Sequence, residues 1–542
     1  MMVEVKILSR RVREEASDKF MVKKIRLRRT LDEVKDFGVS SAALSRLSLF
    51  LNRLVAGSLE NPPLVSAIAE RRGPDQILRD FEVIFEANES LLNDTLLDIE
   101  MNQKSKYGSR SNAQPWSDIK ESTLKTFGES NIAKLPQCIA VDPKCRNRLR
   151  GSTLDKVVDK IRNSTNSGLK DMVPKGSIKD KYRDKDVLME EFKLNLPAVP
   201  FVRTQEQLKT RVVWGFPIAN VIYEGIVFYP LLEYLKTKSW QRALISPQDV
   251  DQFATNLVSE CSNSGRALLS IDFSNYDTSV KTELQDLAFT YFKSLFQSSY
   301  GEQIDIIKER FSSISLVTPD GIVSGKHGIP SGSAFTNVVG SVVQATIALD
   351  SGLTKEPEFQ ILGDDGIYCL QGEDEVSSLI NSFKTSGLTV NEDKSFISHE
   401  FCVYLQKLYD IYYIERGVKG GIYPVYRALN RIVHPERFIN FGEFDLSGKD
   451  YFSIRTISIL ENCKYHPMFE ELVKFVLSLD KYNLEFDDIS LNKYIKMIEK
   501  REGVGGAIRN QYGDNLNGIR SFEAYKLIKR LVSGGPLPSG KV

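Results

Sequence analysis

Histidine is scarce in this chain: four residues in 542, at positions 327, 399, 434 and 466. That scarcity excludes a zinc site built from closely spaced His and Cys ligands. Six cysteines (Cys138, Cys145, Cys261, Cys369, Cys402 and Cys463) stand singly. They form neither a metal-type cluster nor a dense disulfide framework, so a reducing compartment is the default expectation. No uninterrupted apolar run is long enough to span a bilayer. The N-terminus is basic but lacks the apolar core of a secretion signal. Neither charge sign dominates, since 72 Lys and Arg against 71 Asp and Glu leave a net charge of +1. Such a balance neither supports nor excludes a nucleic-acid partner, because positive charge can be confined to channels.

What is present is length enough for several subdomains and a sizeable core, with 42% apolar residues and a mean hydropathy of −0.24. The stretch Ile361-Leu362-Gly363-Asp364-Asp365-Gly366-Ile367-Tyr368 has apolar flanks around an acidic, glycine-bearing centre. It reads as a β-hairpin with two carboxylates at its turn. Adjacent carboxylates repel unless something positive sits beside them, and a hard divalent cation such as Mg²⁺ suits oxygen ligands near phosphate. A solvated Asp-Asp turn would look the same. Upstream, Ala267 to Ile271 is a short apolar strand that delivers Asp272 at its end, followed by Phe273-Ser274-Asn275-Tyr276-Asp277. If the two strands are sheet neighbours, Asp272 meets Asp364 and Asp365, and such a set can clamp two metal ions. Asp277 lies past the strand end, where a carboxylate can accept a hydrogen bond from a ribose hydroxyl. Between these segments, His327 to Asn337 holds Gly-Ile-Pro-Ser-Gly and then leads into an uncharged stretch of helical length ending at Leu349. A small-residue loop before a helix lets backbone approach a ligand closely, with Ser331, Thr336 and Asn337 as short polar arms.

Asp272 with Asp277 five residues on, then Ser331-Gly332 with Thr336, then Gly363-Asp364-Asp365, resemble motifs A, B and C of viral RNA-dependent RNA polymerases. The wording is similar to that of picobirnavirus polymerases, with partitivirus enzymes as near kin. The resemblance implies an α+β right-hand fold of fingers, palm and thumb, with an antiparallel palm sheet and an encircled active site. It implies an N-terminal region and fingers over 1–265, palm at 266–280, a fingers and palm insertion at 281–318, palm again at 319–410, and a mostly helical thumb with a flexible tail over 411–542. Asp272, Asp364 and Asp365 would hold two Mg²⁺ ions, with Mn²⁺ as a substitute. Asp277 would select the ribose 2′-hydroxyl, Ser331 and Gly332 would sit in the mobile loop that helps admit template and nucleotide, and Thr336, near the incoming ribose, and Asn337 would join them at the substrate. The family motif has Asn four residues after its Thr, where this chain has Gly340. The implied activity is RNA synthesis from ribonucleoside triphosphates on a single-stranded template, giving duplex RNA. The implied setting is a double-stranded RNA virus, inside the capsid and in host cytoplasm, with capsid protein as a further partner.

Other segments fit that frame. Val199 to Pro217 alternates basic and buried-type residues, and Lys209 and Arg211 share one strand face. The pattern resembles motif F, so Arg211, with Lys209 and Arg203 behind it, is expected to meet the triphosphate. Lys394, in Gly387 to Ser395, matches the lysine proposed in related polymerases as general acid for the departing pyrophosphate. Phe401 to Tyr409 resembles the hairpin joining palm to thumb. The loop Asn102 to Asp118 offers Lys104, Lys106, Arg110 and an exposed Tyr107 as a template entrance. The basic run at 1–30 reads as a solvated arm, or as a contact for RNA phosphates or a capsid surface. Helices are expected at 43–54, 156–161, 223–235, 250–258, 283–295, 301–311 and 374–386, one more within 78–97, and four beyond residue 450. Two rival readings remain: a non-catalytic RNA-binding or capsid-associated protein with polymerase-like motifs, and a DNA-synthesising enzyme, against which Asp277 argues.

Overall fold

The computed structural model describes residues 27–58, 61–502 and 516–534. The basic run at 1–30 and the glycine-rich end beyond 532 fall almost wholly outside them. The fold is α+β. Among the described residues ten strands carry it: β1 (Val199–Thr204), β2 (Thr210–Gly215), β3 (Ala267–Ile271), β4 (Leu316–Thr318), β5 (Gly321–Val323), β6 (Phe359–Leu362), β7 (Asp365–Leu370), β8 (Phe396–Ser398), β9 (Phe401–Tyr404) and β10 (Lys407–Asp410). The central sheet has the order β6-β7-β3-β8, antiparallel throughout. β1–β2, β4–β5 and β9–β10 are separate hairpins.

β3 is buried at every position, and its two faces find different partners. Leu269 and Ile271, with Tyr368 and Leu370 of β7, face the helix Thr336–Asp350 and its Val338, Val339 and Val342. Leu268, Ile367 and Cys369 face the helix Pro247–Asn263 and its Val250, Ala254 and Val258. This is the period-two alternation of a strand sandwiched between helical layers. On the second face a disulfide joins Cys261 to Cys369, a pairing that the scattered cysteine positions did not announce.

The C-terminal helices Val425–Val433, Gly448–Leu460, Phe469–Leu479, Asp488–Glu502 and Glu523–Ser533 enclose a second core. An early helix, Pro74–Asn88, belongs to it: Phe81 and Phe85 pack on Tyr426 with ring centroids 5.4 and 4.9 Å away. Glu100, fully buried in the helix Asp94–Lys104, accepts backbone N–H bonds from Val425 (2.6 Å) and Tyr426 (3.1 Å). It thereby satisfies donors that the first turn of the Val425–Val433 helix cannot pair internally. Among the described residues, no helix is long and apolar enough to cross a membrane.

Candidate active site

The β6–β7 register pairs Leu362 with Asp365, leaving Gly363 and Asp364 as a two-residue turn. Gly363 takes φ +66°, a conformation that glycine adopts without penalty. The helix Thr336–Asp350 holds the turn. Gln344 Nε2 donates to the carbonyls of Gly363 (3.3 Å) and Asp364 (3.1 Å), Tyr368 Oη donates to Gln344 Oε1, and Gly363 N–H donates to Ser341 Oγ. Pairing of Ile271 with Gly366 brings Asp272 to the same end of the sheet.

Asp272 is tied to the segment that carries Lys394. Asn391 Nδ2 donates to Asp272 Oδ2 at 2.9 Å, and Asn391 N–H donates to the Asp272 carbonyl at 2.8 Å. Asp272 N–H donates to Ser395 Oγ, which in turn donates to the Asn391 carbonyl. Lys394 lies in the single turn Glu392–Lys394 between these contacts.

Charge converges here. Burial raises the Asp272 carboxyl and Asp364 adds to the rise, while Lys394 and the Asn391 hydrogen bond oppose it. Asp365 is pushed up to about 7 by burial, then by Asp364 and Asp272, with Arg427 opposing. Asp277 rises to about 6 through burial and Asp364, with Arg211 opposing. Asp277 nonetheless keeps solvent-exposed surface. Lys209 is lowered by burial, Arg211 and Lys394, and Asp272 and Asp364 hold it up. Lys106 is lowered by burial, Lys394 and Arg427, with Glu206 and Asp272 opposing. The seven groups Asp272, Asp277, Asp364, Asp365, Lys209, Arg211 and Lys394 are thus linked by a chain of electrostatic couplings, each to at least one of the others. Among the described residues, no three His, Cys, Asp or Glu side chains are gathered closely enough to hold a metal ion. The chemistry of the donor set nevertheless fits a hard cation, since the ionisation of Asp272 and of Asp365 is opposed by neighbouring carboxylates at one sheet end.

The loop before the helix Thr336–Asp350 is fastened on two sides. Trp214 N–H of β2 donates to Ser331 Oγ at 3.1 Å, and a Cβ at Gly332 would lie 1.7 Å from the Trp214 carbonyl. Behind the loop, Glu224 of the helix Ile218–Leu235 accepts from Ser333 Oγ and from Ala334 N–H, both at 2.8 Å. Burial pushes its carboxyl up to about 7, against these hydrogen bonds. Thr336 Oγ1 is 2.7 Å from the Pro330 carbonyl and 2.9 Å from the Ser333 carbonyl, so its hydrogen serves the loop. Asn337 is exposed beside Gly363. Gly340 has the Tyr276 ring against it, and its carbonyl accepts from Tyr276 Oη at 2.7 Å.

Arg203 stands opposite Arg211 in the β1–β2 register, but its guanidinium pairs with Glu436 at 3.3 Å. Arg110, 4% exposed, bridges Glu206 (2.9 Å) and Glu436 (3.5 Å). Of the expected entrance residues, Lys104 pairs with Glu82, and Tyr107 is not an exposed platform: its hydroxyl donates to the Pro74 carbonyl and its ring meets His434. Lys106 of that group is coupled to Asp272. Glu224 and Arg427 carried no sequence signal, because each acquires its neighbours only through tertiary packing. Asn391 stands in the quoted Lys394 segment, but nothing in its spacing points to Asp272.

Residues 82–411 match the family model described as viral RNA-dependent RNA polymerase. The chain is 31% identical over 286 residues to a potential RNA-dependent RNA polymerase of a human picobirnavirus, covering 51% of this chain and 52% of that protein. It is 26% identical over 240 residues to the RNA-directed RNA polymerase of Cryptosporidium parvum virus 1, covering 40% and 44%. The matched region thus spans about half the length of these curated relatives. Among solved structures, the RNA-dependent RNA polymerase of a human picobirnavirus superposes with a TM-score of 0.72 at 22% identity, over 89% of this chain and 96% of that one. Its insertion-loop deletion mutant gives 0.71 over the same shares. At that identity the likeness is one of fold.

Proposed function

This chain belongs to the viral RNA-dependent RNA polymerases, and from that premise we propose that its cleft performs template-directed RNA synthesis. Ribonucleoside triphosphates are the donors and an RNA 3′-hydroxyl is the acceptor. The observation that carries the reading is the convergence of three acidic motif residues with Lys209, Arg211 and Lys394 at one end of the sheet. Two Mg²⁺ ions, for which Mn²⁺ can stand in, would be held by Asp272 and Asp364 with Asp365 beside them, and such a pair neutralises charge on the attacking and leaving oxygens.

The chain's own groups do the rest. Lys209 and Arg211 offset the triphosphate charge. Asp277 accepts a ribose hydroxyl, which favours ribonucleotides and argues against DNA synthesis. Lys394 donates a proton to the departing pyrophosphate from a turn anchored on Asp272. Ser331 and Gly332 lie in the loop that admits template and nucleotide, with Thr336 and Asn337 at the start of the helix that follows it. Template sequence is read by base pairing, so backbone and shape contacts suffice for the protein.

In this reading β3 and β6 to β10 form the palm, the β1–β2 hairpin belongs to the fingers and the C-terminal helices form the thumb. The ion pairs of Arg203 and Arg110 with Glu436 support a cleft closed between finger hairpin and thumb. Replication and transcription of a double-stranded RNA genome, within a capsid in host cytoplasm and in contact with capsid protein, follow from family membership as part of the same proposal. The rival is a non-catalytic RNA-binding protein.

The decisive assay is labelled ribonucleotide incorporation on single-stranded RNA with Mg²⁺, unprimed and primed, beside Asp364→Ala/Asp365→Ala. Template-length product from the parent and none from the variant is expected. A folded parent that is silent in both formats would move the reading to the binding role.

A further inference from the structure

Glu224 is an odd residue to find where it is. It is 3% exposed, on a helix whose other buried residues are mostly apolar, and it forms no ion pair among the described residues. Lys175 and Arg310 lie near enough to feel its charge without bonding to it. Each is itself buried enough to lose basicity, to about 8 and about 10. Burying a carboxylate without a cationic partner is costly, so its hydrogen bonds must account for its place.

Both of those bonds come from one loop. Ser333 Oγ donates to Oε1 and Ala334 N–H donates to Oε2. Ser333 Oγ also accepts from Phe335 N–H at 3.0 Å. One carboxylate therefore fixes three consecutive residues immediately before the helix Thr336–Asp350. The other half of the loop is held differently, by the Trp214 backbone, whose N–H donates to Ser331 Oγ and whose carbonyl lies against Gly332. Ser331 is exposed, whereas Ser333 and Phe335 are buried.

We propose that Glu224 is a positioning residue: it clamps Ser333, Ala334 and Phe335 as a fixed hinge, so that the Ser331–Gly332 half of the loop moves against a stationary helix start when nucleotide is admitted. The proposal rests on the polymerase reading for its kinetic consequence, but not for its structural one. Glu224 touches no reacting atom, so its loss changes how nucleotide is received rather than how it is turned over.

The test compares the full chain with Glu224→Ala, Glu224→Gln and Ser333→Ala, by amide hydrogen exchange and by incorporation kinetics. Deleting a charged acceptor should accelerate exchange at Ala334 and Phe335 by roughly tenfold or more in Glu224→Ala, with the sheet unaffected. The KM for nucleotide should rise by roughly tenfold, with kcat within about threefold. Glu224→Gln should restore both readouts, since an amide can accept from Ala334 N–H and donate to Ser333 Oγ. Ser333→Ala should give a smaller change in the same direction, and it serves if Glu224→Ala does not fold. Unchanged exchange at 333–335 in a folded Glu224→Ala overturns the proposal. So does a fall in kcat at constant KM, which is what mere loss of folded enzyme produces. If the parent makes no RNA at all, the polymerase reading fails, and the exchange data still decide whether Glu224 clamps the loop.

Discussion

Asn391 spans the gap between Asp272 and the turn of Lys394 with its side chain on one and its backbone on both. Groups that orient a metal-ligating carboxylate commonly matter by roughly 10- to 100-fold. Asn391→Ala is therefore expected to cut incorporation by about that factor while leaving thermal stability nearly unchanged. Asn391→Asp keeps the shape but sets a fourth carboxylate against the other three, and it should be no better than alanine. Steady-state kinetics beside a melting curve check both. At this scale the sequence discloses residues whose chemistry is local. Asp364 and Asp365 are adjacent on the chain, and Asp272 ends an apolar strand. Asn391 is 119 residues from the carboxylate it serves, so no spacing rule reaches it. Arg203 shows the converse. Its alternation with Arg211 was legible, but its partner Glu436, 233 residues away, was not.

The loop from His327 to Thr336 is the element fastened both to β2 and to the helix Ile218–Leu235. Gly332→Ala would drive a methyl group into the Trp214 carbonyl, so the loop or β2 must shift. A loss of about 1–3 kcal/mol of stability is expected, read by denaturant unfolding, with incorporation falling more than the melting temperature suggests. Glu224 adds a pH dependence. Its carboxyl rises from 4.5 to about 7 on folding, so the folded chain binds that proton more tightly. The contribution favours folding at acid pH and is lost as pH climbs from 4.5 through 7, by about 3 kcal/mol at most. Asp277 and Asp365 are shifted the same way, so the informative quantity is the difference between parent and Glu224→Gln. The variant's stability curve should be flatter across that window, as followed by unfolding at a series of pH values. Elements themselves were largely legible: β3, the acidic hairpin and the helices flanking them obey simple periodicities. The face each helix covers was not, because an apolar stripe does not name its partner. The aromatic run at 401–409, expected by resemblance to be a hairpin, does reverse, at Leu405 and Gln406, both with positive φ, and forms the β9–β10 hairpin.

For the molecule as a whole, the cluster of Arg110, Arg203, Glu206 and Glu436 joins the N-terminal loop, the β1–β2 hairpin and the C-terminal helices. The Arg203–Glu436 pair is exposed enough to be worth at most about 1 kcal/mol, and the buried Arg110 keeps Glu206, so Glu436→Ala should not unfold the protein. It should instead shorten the RNA made per binding event, by roughly twofold to fivefold, with single-nucleotide addition unchanged. Added salt should narrow the difference. Product-length distributions under single-hit conditions provide the measurement. The general architecture could be read from three short motifs, yet the chain's wrapping could not. That wrapping also sets a timetable for biosynthesis. Phe81 and Phe85 are made early, but Tyr426 and Phe475, which cover them, come hundreds of residues later. At about 5–20 residues a second, a ribosome leaves that aromatic face uncovered for roughly 20–80 s. During that interval the nascent chain presents a greasy helix to whatever chaperone or neighbouring chain is at hand, and a premature stop before Val425 makes the exposure permanent.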